Sequence, residues 1–299
     1  MRMWILALED LSNLDAVMEC KPDAVCIGLA PLAARSHACV QIEELPEMVK
    51  RFHQHDIQLL INAQGMIEQS QLANVRNLFH QAIDTGVDGF YIADDGYIHL
   101  ADEYGNQIGR DLRQLLIIQP ETLLCSGQDA NFYLEQGLQA ASLSHELTLD
   151  EIVACAQDCS NAKNLEVLIS GHYSWMESRR PLIENYLRYI KRQDAFEQNK
   201  VYTIQEQMRD ARLLTWQDDQ GTHIMSDLPI QAGSDLCAIA DSGIERFRID
   251  AFLKSNEWGI EMLQTYRKIL EHSPNENSIE SNLKQEETLI RKEKTNVRH

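Results

Sequence analysis

The sequence has 299 residues, 44% of them hydrophobic, which is enough for one large domain or two small ones with a sizeable core. Its formal net charge of −19 would repel nucleic acid over long range, so RNA binding would need a local basic patch or a partner protein. The apolar runs are far shorter than the ~20 residues of a membrane span, and acidic residues follow the short apolar N-terminal segment at once. We therefore predict a cytoplasmic protein with no membrane segment.

Short apolar segments alternate along the chain with segments in which apolar residues have helical spacing. The pattern predicts strands at residues 4–8, 23–29, 57–63, 90–93, 115–118, 140–143 and 165–169, and helices at residues 11–19, 42–53, 70–84, 129–136, 149–158 and 182–192. Six or seven consecutive β–α units favour parallel strands with right-handed crossovers. We therefore predict an α/β fold with a (β/α) barrel-like core, and a doubly wound open sheet is the alternative. In both folds the functional residues lie at the C-terminal ends of the strands.

The pattern changes after residue 199. Residues 200–204, 212–216 and 222–225 are predicted to be extended, with a turn at 217–221, so we expect a small β insertion near residues 200–235. A last strand at 246–249 and a last helix at 254–272 follow. Trp258, Met262, Tyr266 and Ile269 share one face of this helix, which favours core packing, with a dimer interface as the alternative. We expect a barrel domain over residues 1–272 and a polar, disordered tail over 273–299.

The chain contains seven cysteines, an odd number, and no CxxC pair. This usage argues against a disulfide framework. Cys155 and Cys159 are four residues apart, and we predict that they are two buried thiols on one face of a helix.

Several sequence motifs occur in a fixed order along the chain. They are DAVCIGL at 23–29 with AAR at 33–35, SHELTLDEI at 144–152, LEVLISG at 165–171, GSDLC at 233–237 and IDAFLKS at 249–255. The ordered set resembles the peptidase U32, or collagenase-like protease, family, and the resemblance runs from about residue 4 to about residue 270. It implies the barrel-like fold that the periodicity predicts.

The resemblance also implies a substrate-binding site at the mouth of the barrel. Arg35, Asn62 and Arg180 occupy positions that match family motifs, and His172, Tyr173 and Ser174 lie in the segment that matches the family signature. We take these six residues as candidate substrate-binding residues.

Carboxylates near predicted strand ends are the candidates for catalysis. They are Asp94, Asp95, Glu121, Glu146 and Asp250. Paired carboxylates can act as acid and base or bind a hard cation, and solvated loop acids are the alternative. We take Glu146, Asp94 and Asp250 as candidate catalytic residues, Glu146 because it lies in a family motif, and we predict no metal site.

The sequence departs from the family at the positions of its cysteines. Ser174 and Pro181 stand where the resemblance places two signature cysteines, and Cys237 alone keeps its place. Members with four cysteines are expected to hold an iron–sulfur cluster, which needs thiolate ligands. We therefore expect no cofactor on this chain alone and an iron–sulfur cluster only in a partner. His145 and Phe252 replace family arginines, and Asp250 replaces a glutamate.

One basic cluster stands out in the acidic chain. It consists of Arg179, Arg180, Arg188, Lys191 and Arg192, with Tyr186 and Tyr189 between them. Arginine binds planar anions such as carboxylate or phosphate in bidentate fashion. The cluster is therefore either an anion-binding surface or a helix solvated by paired charges.

The short members of the resembled family look like partners of a longer, cysteine-bearing paralogue. Relatives of that kind support hydroxylation of RNA bases, notably the wobble uridine of tRNA. The resemblance thus predicts a subunit of a hetero-oligomer that reaches tRNA through its partner. The alternatives are a collagenase-like peptidase and a non-enzymatic scaffold. For the peptidase, the chain has neither HExxH nor GxSxG, and only Ser174 near His172 suggests a nucleophile and base.

Overall fold

The computed structural model describes residues 2–205, 207, 208 and 210–271. Its strands, in chain order, are β1 (Met3–Ala7), β2 (Ala24–Leu29), β3 (Cys39–Val40), β4 (Gln58–Ala63), β5 (Gly89–Ile92), β6 (Leu116–Ile118), β7 (Ala140–Ser142), β8 (Leu165–Gly171), β9 (Ser174–Ser178), β10 (Tyr202–Gln205), β11 (Arg212–Asp218), β12 (Gly221–Met225), β13 (Ile230–Gln231) and β14 (Arg246–Asp250). The α-helices are α1 (Leu14–Glu19), α2 (Leu45–His53), α3 (Leu72–Asp84), α4 (Gly96–Ile108), α5 (Gly127–Glu135), α6 (Leu149–Asp158), α7 (Leu182–Tyr189), α8 (Asp235–Asp241) and α9 (Asn256–Glu271). The predicted tail at 273–299 lies outside the described residues.

Eight parallel strands close into a barrel. Their order is β1, β2, β4, β5, β6, β7, β8 and β14, and β1 pairs with both β2 and β14, so the sheet has no free edge on this path. The connections between successive strands carry helices, as right-handed β–α crossovers require. The predicted (β/α) barrel-like core is therefore confirmed, and the open doubly wound sheet is excluded.

The main hydrophobic core lies between the barrel and the surrounding helices. The strands are buried on both faces, which explains their nearly continuous apolar sequences. On α3, for example, Phe79 packs against Phe90 of β5 with ring centroids 4.8 Å apart. On α9, the side chains of Trp258 and Tyr266 are buried in the same core, as are Met262 and Ile269. The predicted core face of the last helix is therefore confirmed.

The β insertion is present, and it begins earlier than the predicted boundary near residue 200. Its antiparallel sheet has the order β10, β11, β12, β9, so it starts with Ser174–Ser178. β13 already pairs with β8 of the barrel, so the insertion sheet ends at β12 and not near residue 235. β9 escaped the sequence reading because Trp175 and Met176 are both exposed, and the strand has no alternating apolar pattern.

Three helices differ from the sequence prediction, α7 in what it packs against and α4 and α8 because they were not predicted. The predicted helix at 182–192 forms as α7, but it packs on β11 and β12 of the insertion and not on the barrel. The crossover into β14 is instead α8, which the sequence reading left unassigned. It also left α4 unassigned, because the buried face of α4 includes Ala101 and Gly105, which give little hydrophobic signal.

Two further sequence predictions concern membrane-spanning helices and the burial of two cysteines. Within the described residues, no α-helix has both the length and the apolar character that crossing a membrane requires. Cys155 of α6 and Cys159, which directly follows that helix, are both buried; their burial is confirmed, but the predicted shared helix face is wrong because the backbone of Cys159 is extended.

Candidate functional site

Arg35 lies at the centre of the mouth, the C-terminal end of the barrel. It follows β2, and its guanidinium forms ion pairs with Glu121, which follows β6, and with Glu177 on β9. Only 8% of the Arg35 side chain is exposed. Arg35 and Glu121 both have a positive φ, 50° and 55°. A positive φ is strained for a residue with a side chain, so it persists only where the surrounding structure stabilises it. Such residues cluster at functional sites.

Two histidines extend this ion-pair cluster. His145 Nδ1 lies 3.8 Å from Glu121 Oε2, and His223 Nδ1 lies 3.5 Å from Glu177 Oε1. His223 Nε2 also lies 3.0 Å from Asp218 Oδ1. Burial lowers the pKa of His145, although the neighbouring Glu121 carboxylate partly opposes that shift. The site therefore places titratable imidazoles beside carboxylates, an arrangement that can accept or donate a proton.

Asn62 positions the loop that carries Arg35. Its side-chain nitrogen donates to the Ala34 carbonyl at 2.8 Å, and its side-chain oxygen accepts from the Ala34 backbone N–H at 3.3 Å. The same oxygen accepts from the Gln64 N–H at 3.2 Å. The amide group of Asn62 is thus used within the protein, and we assign it the role of holding Arg35 in place.

A charged network lies inside the barrel, beneath Arg35. Glu166 is fully buried on β8; it accepts a 2.8 Å hydrogen bond from Tyr91 and lies 3.3 Å from Arg248 and 3.5 Å from Arg246. Arg248 also donates to Asp250 at 3.0 Å. Burial raises the pKa of Asp250, and the charges of Arg248 and Arg35 oppose that shift. The candidate catalytic residue Asp250 therefore belongs to the top of this network, next to the Arg35 cluster.

His172 and Tyr173 form hydrogen bonds with Ser226, which directly follows β12. The Nδ1 atom of His172 lies 3.0 Å from the Ser226 carbonyl, and the Tyr173 carbonyl accepts from the Ser226 N–H at 3.0 Å. Burial lowers the pKa of His172 to about 4, assisted by the charge of Lys254. His172 Nδ1 is thus engaged with Ser226, and the buried Ser174 begins β9. Tyr173 reaches the mouth, where its ring lies 4.6 Å from that of His145.

The remaining candidates are exposed. Glu146 is exposed, and its backbone N–H donates to Ser144 Oγ. Arg180 is exposed in the turn before α7. Asp94 accepts from the Gly96 N–H at 2.7 Å, near the start of α4. It lines a rim cavity of about 710 Å³ together with Gln64, Met66, Leu123, Phe132 and Tyr133.

Apart from His172 and Ser174, which are buried, the predicted residues divide into two groups. The structure brings Arg35, Asn62 and Asp250 together at the mouth, with Tyr173 beside them through His145. Glu146, Asp94 and Arg180 are exposed, and none of them forms an ion pair with the Arg35 cluster among the described residues, although Glu146 directly follows His145 and its charge acts on that imidazole.

The family model for peptidase family U32 matches residues 9–298 of this sequence. The chain belongs to the U32 family. The chain is 25% identical over 232 residues to tRNA hydroxylation protein P2 of Bacillus subtilis, a match that covers 77% of this chain and 72% of that protein. It is 22% identical over 253 residues to the 23S rRNA 5-hydroxycytidine C2501 synthase of Escherichia coli. That match covers 83% of this chain but 36% of the longer synthase.

A solved structure supports the fold assignment. The U32 peptidase Mk0906 superposes with a TM-score of 0.50 at 15% sequence identity, covering 84% of this U32 chain and 93% of the other. At this level of identity the likeness concerns the barrel architecture alone.

Three positions of this chain correspond to cysteines that would bind an iron–sulfur cluster in other family members. The Ser174 and Pro181 side chains offer no thiolate, and Cys237 packs on α8 against the core outside the barrel. Burial raises the pKa of Cys237, which disfavours the thiolate that iron requires. The described part of the chain also contains no group of three or more His, Cys, Asp or Glu residues that could hold a metal ion. These residues do not fit a cluster.

Sequence reasoning missed several members of the Arg35 cluster. Glu177 and His223 belong to the insertion and were not among the predicted site residues, and only the folded sheet brings them over the barrel. A signal did exist for Glu166, because an acid within the apolar run LEVLIS marks a buried charge that needs a partner. The basic partners on β14 were equally visible, since Arg246 and Arg248 alternate with apolar residues.

Proposed function

We propose that this U32 chain is a cytoplasmic subunit that supports hydroxylation of an RNA base, specifically the wobble uridine of tRNA. It acts with a longer, cysteine-bearing paralogue that holds the iron–sulfur cluster. The observation that carries the proposal is the match over 77% of the chain to a protein named for tRNA hydroxylation. The second relative is named for hydroxylation of a cytidine in ribosomal RNA, so both names concern the same kind of reaction on RNA.

The geometry of the mouth supports a retained role for this chain in such a complex. The Arg35 cluster combines a buried guanidinium, carboxylates and two histidines in contact with those carboxylates. Such a site can orient a polar ligand and move a proton. Oxidation requires a redox centre, and the residues at positions 174 and 181 supply no thiolates for one. A division of labour between two subunits accounts for both observations.

Deletion of the gene tests the proposal directly. We expect hydroxyuridine at the wobble position of tRNA, measured by mass spectrometry of digested tRNA, to fall and to be restored by the wild-type gene. An affinity-tagged chain should also recover the longer U32 paralogue. Unchanged hydroxyuridine, together with no paralogue in the pull-down, would contradict the proposal. Cleavage of gelatin or casein by the purified chain, abolished in Ser174→Ala, would instead support the peptidase alternative.

A further inference from the structure

An exposed surface of aromatic and basic side chains lies on α7 and the turns that flank it. We call it the α7 patch, and it consists of Arg180, Tyr186, Arg188, Tyr189, Lys191 and Arg192. Tyr186 is 62% exposed and Tyr189 is 84% exposed. Adjacent exposed aromatic rings offer a surface whose burial by a ligand or a partner would be favourable.

The fold of the insertion itself does not need these two rings. The half-buried residues of α7 include Leu182, Ile183 and Leu187, and the helix packs against β11 and β12. Its first turn is further attached by a 2.9 Å hydrogen bond from the Leu182 N–H to Thr222 Oγ1. Tyr186 and Tyr189 are three positions apart, so they are neighbours on the helix surface, about 4.5 Å apart along its axis. They form a pair of adjacent aromatic surfaces that face solvent.

The charge of the patch is opposite to that of the rest of the chain. Residues 179–192 contain five basic residues and one acidic residue, in a chain of net charge −19. Glu184 neutralises Arg188 at 2.7 Å, and Asp194 lies 3.7 Å from Arg192. Within the described part of the chain, Arg180 and Lys191 form no ion pair, so their charges remain available. A polyanion such as RNA would therefore be repelled by most of the acidic chain but attracted to the basic side chains of the α7 patch.

We infer that the α7 patch binds unpaired nucleotides of an RNA substrate, with bases stacked on Tyr186 and Tyr189 and phosphates beside Arg180 and Lys191. The inference rests on the proposed function and deepens it, since this subunit would then contact RNA directly and not only through a partner. Base stacking on exposed aromatic rings tolerates any base, and flanking cations neutralise the backbone. An acidic protein would satisfy the cations but would leave two adjacent rings without planar partners, so RNA fits the patch better.

Fluorescence anisotropy with the purified full-length chain and a labelled tRNA transcript tests this inference. Tyr189→Ala and the double variant Tyr186→Ala/Tyr189→Ala should weaken binding by at least about fivefold for each lost stack. Tyr189→Phe keeps the ring and should bind as the wild type does. Lys191→Glu should weaken binding and flatten the dependence of affinity on salt, because one phosphate contact is lost. Lys50→Glu makes the same charge change on an exposed side chain of α2 and should have a much smaller effect.

The outcomes separate this inference from the proposed function. Wild-type affinity in the tyrosine and Lys191 variants, or no tRNA binding by the wild-type chain at low salt, would overturn the inference. Release of the U32 paralogue by the same variants, with tRNA affinity unchanged, would also overturn it and assign the patch to a protein. In either case the proposed function would still be tested separately, by measuring hydroxyuridine in tRNA after deletion of the gene.

Discussion

Arg35 of the barrel and Glu177 of the insertion sheet form an ion pair that joins the two parts of the fold across the mouth. Further contacts reinforce this junction: Gln220 Nε2 donates to the Pro31 carbonyl at 3.2 Å, and Trp216 packs against Phe252 with ring centroids 5.2 Å apart. The insertion therefore forms one wall of the candidate site. A change at Arg35 should affect both the stability of the fold and the chemistry of the mouth.

Replacement of Arg35 by alanine should destabilise the protein by about 3 kcal/mol, because two half-buried carboxylates lose their counter-charge. Chemical denaturation measures this loss. Arg51→Ala is the matched control, since Arg51 pairs with a largely exposed Asp15 and such a pair contributes about 1 kcal/mol or less. If the two variants lose equal stability, the Arg35 cluster is not the junction described here.

A double-variant background makes the test of Arg35 sharper. In Glu121→Gln/Glu177→Gln the acids are already neutral, so Arg35→Ala should cost much less there than in the wild type. The difference between the two costs measures the coupling of Arg35 to its carboxylates. Additive effects would show that the Arg35 side chain stabilises the fold by packing and not by charge.

Replacement of Tyr91 by phenylalanine should cost about 1.5–3 kcal/mol, because it removes a hydrogen bond to the buried carboxylate of Glu166. Tyr104→Phe removes a comparable 2.7 Å hydrogen bond to Asp84 at an exposed site and should cost less. Urea unfolding of both variants provides the comparison. Equal losses would mean that the barrel interior is hydrated and does not depend on the Tyr91 hydroxyl.

Much of the barrel could be predicted because its signal is local. The largely apolar run at 57–63 and the helical stripe of α9 each indicate burial of their own element, and the order of the elements then restricts the topology. β9 and α4 gave no such signal, since the first is largely exposed and the buried face of the second includes the small residues Ala101 and Gly105. Local periodicity therefore found the elements with a continuous apolar pattern and missed those whose pattern is interrupted.

The candidate site was harder to predict because its members are distant in sequence. Arg35 and Glu121 are 86 residues apart. The predicted strand ends narrow the 46 acidic residues to five that include Glu121, but no pattern selects Glu121 among those five. Family motifs pointed to Arg35 and Asn62, which the structure places at the mouth, and their role in substrate binding stays a prediction. They did not distinguish the exposed Glu146 from acids that reach the mouth, because a motif records position in the chain and not direction of a side chain.

The purified chain should contain substoichiometric iron and sulfide, because it lacks the thiolates at positions 174 and 181 that a cluster needs. Colorimetric iron and sulfide assays after anaerobic purification check this expectation. Ser174→Cys is a suitable control, since one added thiolate should not restore a cluster. Brown protein with stoichiometric iron and sulfide would contradict both this prediction and the proposed division of labour between subunits.

Protonation of His172 should limit stability in acid. Burial lowers its pKa from 6.5 to about 4, so between these pH values the unfolded chain binds more protons than the folded chain does. The stability that the neutral imidazole contributes is complete above pH 6.5 and falls as the pH decreases towards 4, by about 1.4 kcal/mol per pH unit.

The variant His172→Asn tests this dependence, because its amide can still donate to the Ser226 carbonyl but does not titrate. Between pH 7 and pH 5.5 the free energy of unfolding should fall less in this variant than in the wild type. His55→Asn, at an exposed position after α2, should keep the wild-type slope. Parallel profiles for the wild type and His172→Asn would show that another group controls the acid sensitivity.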